Sequence, residues 1–186
     1  MLRVILSFFL AWTVLVGSPI GAHTIESDRK VIESYVDYFH RNMRPRYAER
    51  AKRLIPNLLE HSSDYQVDPL LMGCIFSFES SWRNFKGRAG EMGPGHVMPE
   101  GKGLTWRMIG DEKIDLTTLE GQIQGACAHM RVSMDTCRTM EGVFSHYAGA
   151  GCKSSKQEVR KKMKRRARYY RKMVKLFRGE DDISTE

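Results

Sequence analysis

Long hydrophobic runs are scarce in this sequence: one occurs, at the N-terminus, and a polytopic membrane protein is therefore excluded. No segment repeats with a period of roughly 20–50 residues, which excludes solenoids and propellers. The four cysteines form no CxxC pair and the six histidines show no ligand-like spacing, so neither a metal site nor a cofactor is predicted. The overall composition, 41% hydrophobic and 28% charged over 186 residues, is typical of one globular domain.

The N-terminal hydrophobic run has the features of a secretory signal peptide. Arg3 precedes 13 mostly apolar residues (4–16), and small residues follow up to Ala22. The run is short for a membrane-spanning helix, which needs roughly 20 apolar residues. We predict a signal peptide over residues 1–22, cleaved after Ala22 or alternatively after Ser18, with an uncleaved anchor as the competing interpretation. Export to the periplasm or cell envelope is the expectation.

Positive charge is concentrated in one segment near the C-terminus. Residues 23–152 carry 16 Lys and Arg against 17 Asp and Glu, whereas residues 153–178 carry 13 against one. The body of the chain is thus close to neutral, unlike a uniformly basic nucleic-acid-binding protein. No nucleic-acid partner is predicted.

The basic segment also carries an apolar stripe at three- or four-residue spacing, which predicts an amphipathic helix over 156–178. One interpretation is a terminal core helix with a solvated basic face. The other is a basic face that attracts an anionic envelope surface, either a polymer or lipid headgroups, through salt-sensitive attraction. The stripe consists of Val159, Met163, Ala167, Tyr170, Val174 and Phe177.

Helical periodicity extends through most of the chain after the signal peptide, which predicts a mostly helical domain. The exception is the segment 87–103, whose six glycines and two prolines predict a tight irregular loop, with or without a small hairpin. Helices are predicted at residues 24–42, 46–60, 69–80, from about 116, at 140–147 and at 156–178.

The helix over 69–80 ends in a candidate catalytic acid. Asp68 is predicted to cap it and Pro69 to occupy its first position, and its sequence is apolar nearly all round. Glu79, at its end, is predicted to face apolar surroundings and the negative end of the helix dipole. Both influences disfavour the charged carboxylate, as a general acid at neutral pH requires. The competing interpretation is an acid emerging into solvent.

Three motifs in order resemble those of soluble lytic transglycosylases. They are ESSW at 79–82, GEMGPGHVMP at 90–99 and YAGAG at 147–151. In that family an ES pair ends the central helix, a G-x-M-G-x-x-Q-x-M-P loop follows, and a Y-N-A-G-like turn comes later. The resemblance covers roughly residues 45–178.

The resemblance implies an α+β, predominantly α-helical, lysozyme-like fold with the Gly-rich loop or a small hairpin beside the catalytic helix. It also implies cleavage of the β-1,4 bond between N-acetylmuramic acid (MurNAc) and N-acetylglucosamine (GlcNAc) in peptidoglycan glycan strands. Glu79 matches the family's sole catalytic acid and base. The muramoyl C6 hydroxyl would attack C1 and close a 1,6-anhydro ring, so that no water is added and the enzyme is a lyase.

The resemblance further implies a set of substrate-binding residues. Ser80 would orient the site, Met92 and Gly93 would line the sugar cleft, and Tyr147 would hydrogen-bond Glu79 or the substrate acetamide. The full set is Ser80, Ser81, Met92, Gly93, His96, Met98 and Tyr147.

Two residues depart from the family pattern. His96 stands where the family usually has Gln, either as a substitute hydrogen-bond partner or as a bystander. Ala148 stands where Asn is usual, which removes one side-chain amide. Both departures bear on substrate specificity, and neither changes the acid.

These patterns, together with the resemblance over 45–178, divide the chain into four segments. They are the signal peptide at 1–22, an N-terminal helical extension at 23–44, the lytic transglycosylase domain at 45–178 and an acidic tail at 179–186. The tail is predicted to be disordered.

Two other classes of function stay open. A lysozyme-like hydrolase would need a second acid across the cleft, for which Glu91 is the best candidate before Glu100 and Asp111. A non-catalytic glycan-binding protein would use the basic helix as its contact. The physiological partner also stays open between general wall remodelling, a phage lysis system and a secretion machine.

The four cysteines permit disulfides in an exported chain. Cys137 and Cys152 flank a short helix and its Gly-rich turn, so a Cys137–Cys152 bond is predicted. Cys74 and Cys127 are left unassigned between a second bond and buried thiols.

Overall fold

The computed structural model describes residues 25–41, 45–101 and 103–179, which form a mostly helical domain with one small sheet. The predicted fold class, α+β and predominantly helical, is confirmed at this level. The predicted signal peptide at 1–22 lies outside the described residues. Of the predicted tail at 179–186, only Gly179 is described. The elements are α1 (Ile25–His40), α2 (Pro45–Lys52), α3 (Ile55–Asp64), α4 (Pro69–Glu79), β1 (Trp106–Ile109), β2 (Glu112–Asp115), α5 (Leu119–Thr136), α6 (Met140–Tyr147) and α7 (Gln157–Arg178).

Helix α4 is the central helix of the core, as its uniformly apolar sequence predicts. It contacts α1, α3, α5 and α7. The Asp68 carboxylate accepts a hydrogen bond from the Leu70 backbone N–H at 2.8 Å, and Pro69 stands in the first turn, where its missing N–H costs nothing. Burial of the nine residues from Pro69 to Ser77 fixes α4 in place.

The prediction of one helix over 46–60 is wrong. Helix α2 ends at Lys52 and α3 begins at Ile55, with a turn between them. The reason is Pro56, which lacks a backbone N–H and whose ring clashes with the carbonyl four residues earlier, that of Lys52. The break lets Leu54 join the core.

The predicted N-terminal extension contributes a helix to the same core. Ile32, Tyr35 and Val36 on α1 are fully buried, and α1 packs on α4, α3 and α7. Burying an apolar side chain of this size contributes roughly 1.5–3 kcal/mol. Helix α1 is thus part of the packed domain.

The two-stranded sheet lies after the Gly-rich segment, which itself contains an antiparallel bridge between Met92 and Val97. Strands β1 and β2 pair antiparallel, with Trp106 opposite Asp115 and Ile109 opposite Glu112. Helix α5 begins at Leu119, where the Thr118 hydroxyl accepts from a backbone N–H, rather than near residue 116. The hairpin contacts α5 along both strands.

Helix α7 crosses the core with the predicted stripe inward. Met163, Ala167, Tyr170 and Val174 are buried, and the two remaining stripe residues are partly buried. No helix within the described ranges is both long and apolar enough to cross a membrane.

A cluster of charged groups joins α7 to the start of α4, and we call it the Asp68 cluster. Arg178 donates to the Asp68 carboxylate through both terminal nitrogens, at 3.1 and 2.7 Å, and to Asp28 of α1 at 3.3 Å. The Tyr170 hydroxyl donates to the same Asp68 carboxylate. The Arg178 guanidinium therefore joins α7 to two helices that are distant from it in sequence, α1 and α4.

The structure contains the predicted disulfide between Cys137 and Cys152, whose Cα atoms are 5.5 Å apart. It joins the end of α5 to the loop before α7, and a loop of this length contributes roughly 3 kcal/mol in the chain-entropy view. Cys74 and Cys127 are buried thiols. Burial raises the pKa of Cys127 to about 12, and burial raises the pKa of Cys74 as well, so both stay protonated at neutral pH.

Candidate active site

The acid at the end of α4, Glu79, lies in a surface cleft. The Glu79 side chain is 19% exposed, and the cleft beside it has a volume of about 370 Å³. All three segments that carry the family-like motifs contribute to it. Its lining residues are Glu79, Glu91, Gly95, His96, Val97, Met98, Arg107, His129, Tyr147, Ala148, Gly149, Lys162 and Arg166.

The turn after Glu79 is held in an unusual backbone conformation. Ser81 and Trp82 both have positive φ, 53° and 62°, which non-glycine residues seldom adopt. Trp82 is buried, and its indole N–H donates to the Ser77 hydroxyl at 2.9 Å. The same hydroxyl accepts from Tyr35 at 2.7 Å. These buried bonds fix the chain as it leaves the acid.

Ser80 ends the helix and does not line the cleft. Its hydroxyl donates to the Phe76 carbonyl at 3.2 Å and accepts from the Arg83 backbone N–H at 3.1 Å. With both roles taken by backbone groups, Ser80 positions Glu79 through the end of the helix.

The Gly-rich loop approaches α5 and α6 so closely that two positions require glycine. A Cβ on Gly93 would lie 2.5 Å from the Cβ of Gln122, and one on Gly95 would lie 2.6 Å from the Cβ of Ala126. The Tyr147 hydroxyl donates to the Gly95 carbonyl at 2.9 Å. The packing of this loop therefore builds one wall of the cleft.

The structure separates the predicted substrate-binding residues into two groups. His96, Met98 and Tyr147 line the cleft together with Glu79. The other four do not line it but shape the backbone around it, and they are Ser80, Ser81, Met92 and Gly93.

Tyr147 is near the acid, as the resemblance implies, but its hydroxyl proton is directed elsewhere. It donates to the Gly95 carbonyl rather than to Glu79. Burial, and next the neighbouring Glu79 carboxylate, raise the pKa of Tyr147 well above its usual value. Tyr147 therefore stays neutral and holds the loop.

An ion pair adds a charged partner to the apolar surroundings predicted for Glu79. Arg166 Nη1 donates to Glu79 Oε1 at 2.5 Å, and the Arg166 side chain is only 6% exposed. Its guanidinium carbon lies 5.0 Å from the centre of the Phe78 ring. The prediction of a wholly solvated basic face is wrong at Arg166, because this residue turns inward to pair with the acid.

Four cleft residues are not predicted by the sequence motifs, namely Arg107, His129, Lys162 and Arg166. Spacing carried a signal for Arg166, since it lies three residues after Met163 and four before Tyr170, along the buried stripe. Arg107 and His129 carried no local signal, because the packing of the hairpin and of α5 brings them to the cleft.

Two histidines of the cleft differ in character. Burial, and next the positive charge of Arg107, lower the pKa of His129 to about 4, so this ring is neutral at neutral pH. His96 has a buried ring nitrogen, Nε2, that bonds to no described residue. Its ring packs nearly perpendicular to that of Phe85, 4.9 Å between centres.

No family model, curated protein or solved structure matches this chain. In the part of the chain that the structure describes, no three His, Cys, Asp or Glu side chains lie together as metal ligands would. The chemistry of the cleft therefore has to be inferred from its own residues.

Proposed function

We propose that this protein is a peptidoglycan lytic transglycosylase of lysozyme-like fold, with Glu79 as its single acid and base. The observation that supports it is the meeting of three sequence motifs at one cleft, around a carboxylate on the end of a buried helix. Each of these motifs alone is weak evidence for the family. The contribution of all three to one cleft supports the resemblance.

Glu79 would act twice in the proposed reaction. It first protonates the glycosidic oxygen as the bond between that oxygen and the muramoyl C1 breaks. As a carboxylate it then takes the proton of the muramoyl C6 hydroxyl, whose oxygen bonds to C1 and forms the 1,6-anhydro ring. The proton given in the first step is recovered in the second, and no water is consumed.

The ion pair with Arg166 has a role in this mechanism. Arg166 donates to Oε1 of Glu79, and no described residue donates to Oε2. Oε2 is therefore the oxygen that carries the transferred proton. Arg166 fixes the direction of the carboxyl group through the other oxygen, which contributes the orientation that proton transfer requires.

The proposed location is the periplasm or envelope, where peptidoglycan lies. It is supported by the signal-peptide pattern of residues 1–22 and by the Cys137–Cys152 disulfide, since such bonds persist in oxidising compartments.

The test of the proposed reaction is the product. Purified protein incubated with sacculi is expected to release muropeptides that end in 1,6-anhydro-muramic acid, one water lighter than hydrolytic ends, as read by mass spectrometry. If only reducing ends are found, the protein is a hydrolase and not a transglycosylase.

One observation favours that hydrolase as the second candidate: Glu91 lines the same cleft as Glu79. A hydrolase needs a second carboxylate to position water or to act as nucleophile. One Glu91 oxygen accepts from the Ala89 backbone N–H at 3.0 Å, so this residue also holds the loop. Glu91→Gln separates the two candidates, because it stops a hydrolase of this kind and spares a single-acid lyase.

The exposed face of α7 is expected to strengthen binding to the anionic wall. Replacing Lys161, Lys164, Arg165 and Arg168 with Gln removes four exposed charges and should leave thermal stability nearly unchanged. Sedimentation with sacculi should show weaker binding at low salt, and the difference should vanish near about 1 M salt, where the screening length is about 3 Å.

The control for this change is a protein with four other exposed arginines replaced. Arg50, Arg53, Arg88 and Arg138 are also exposed, and all four lie outside α7. Equal loss of binding in both variants would mean that only net charge matters, and no loss in the α7 variant would leave its basic face as a solvated surface.

A further inference from the structure

The cleft beside Glu79 holds more positive charge than its acids balance. Arg107, Lys162 and Arg166 line it, against Glu79 and Glu91. Arg166 is already paired with Glu79 at 2.5 Å. Arg107 and Lys162 form no ion pair with any acid among residues 25–41, 45–101 and 103–179.

The two unpaired cations reach the cleft from different elements. Arg107 extends from β1, where one of its terminal nitrogens donates to the Met98 carbonyl at 3.0 Å and its side chain is partly buried. Lys162 extends from α7, one helical turn before Arg166 and thus on the same side of the helix. Both remain available to a ligand that enters the cleft.

The other ionisable groups of the cleft do not fully balance its cations. His129 is neutral at neutral pH, since burial lowers its pKa to about 4. Glu91 bonds to the backbone of its own loop but keeps its negative charge, so three cations face two acids and the cleft has a net positive charge. A cleft with an excess of cations attracts anions.

We propose that Arg107 and Lys162 form a subsite for a carboxylate on the substrate, within the cleft that holds Glu79. The identity of the substrate rests on the proposed function. In peptidoglycan the carboxylate has two sources: the lactyl group of a muramoyl residue without its peptide, or the stem peptide attached there. Arg offers two parallel N–H donors to a carboxylate, and Lys offers a compact charge.

This subsite would distinguish peptidoglycan from neutral polymers of the same backbone. Chitin has the same β-1,4-linked N-acetyl sugars but no carboxylate. A protein that used only the sugar-binding parts of the cleft would bind both equally. The cations give the wall polymer an advantage that a neutral glycan cannot obtain.

The test uses three disaccharides that lack the MurNAc–GlcNAc bond and are therefore not cleaved in the proposed reaction. They are GlcNAc–MurNAc with a free lactyl carboxylate, the same disaccharide with a stem peptide, and the neutral chitin disaccharide. Binding to the full chain is measured by NMR titration at low salt. We expect at least one charged disaccharide to bind about tenfold more tightly than the neutral one, the size of one charge-assisted hydrogen bond.

Two variants test which residues cause the tighter binding of the charged disaccharides. Arg107→Gln combined with Lys162→Gln should remove it while the neutral disaccharide binds as before. Lys172→Gln, which removes an exposed charge of α7 outside the cleft, should keep it. Which charged disaccharide binds more tightly identifies the source of the carboxylate.

Equal binding of all three disaccharides by the unaltered protein, or a preference that survives in the double variant, would overturn the subsite. Failure of the proposed function gives a different result. A protein that prefers the charged disaccharides but releases nothing from sacculi keeps the subsite and loses the transglycosylase activity.

Discussion

Replacing Glu79 with Gln is expected to abolish release of soluble fragments from sacculi. The glutamine side chain would keep the size of the original and an oxygen that accepts from Arg166, but it has no proton to give to the glycosidic oxygen. General acid or base catalysis by one group is worth roughly 10²–10⁴-fold, and here one residue serves in both steps, so a loss of at least about 10³-fold is expected.

The control for Glu79→Gln is Glu141→Gln. Glu141 also pairs with an arginine of α7, Arg171 at 3.1 Å, but it does not line the cleft. Its replacement should change activity little. Circular dichroism should show that both variants are folded. A folded Glu79→Gln protein that still cleaves would remove the mechanism proposed here.

Replacing Asp68 with Ala is expected to lower the free energy of unfolding by about 3 kcal/mol. The change deletes the cap of α4, which is typically worth about 1 kcal/mol, and it removes the carboxylate that pairs with Arg178. The Arg178 side chain is only 9% exposed, and its buried charge would keep only the Asp28 carboxylate, at 3.3 Å, as a charged partner. Breaking a buried ion pair costs about 3–5 kcal/mol, and the partial exposure of Asp68 places this case at or below the lower end.

Urea titration checks the Asp68 prediction, and Asp135→Ala is the matched comparison. Asp135 also pairs with an arginine, Arg131, but its side chain is 56% exposed and the two residues belong to the same helix. Exposed pairs of this kind contribute about 0–1 kcal/mol. Similar losses in both variants would show that the Asp68 cluster is no stronger than a surface pair.

The local structure of the central helix follows from the order of its own residues. Asp68 and Pro69 predict its start, and the apolar residues between them and Glu79 predict its burial, because capping and hydrophobic patterning are properties of neighbouring residues. The inward stripe of α7 and the Cys137–Cys152 bond were predicted on the same kind of evidence.

One wrong prediction also has a cause in the local sequence. Pro56 breaks the predicted helix over 46–60, and the rule that explains this applies to the sequence alone. The hairpin at 106–115 is harder to predict from the sequence, because short strands with little alternation of apolar and polar residues have only a weak sequence pattern.

Which charges meet depends on long-range packing. Arg166 and Glu79 are 87 residues apart, and Arg178 and Asp68 are 110 apart. A pattern in the sequence shows that a residue is basic and which face of a helix it occupies. It does not show which partner packs against that face, since this depends on the crossing of α4 and α7. The acid was therefore predicted from the sequence, whereas its ion pair and the cations of its cleft follow from long-range packing.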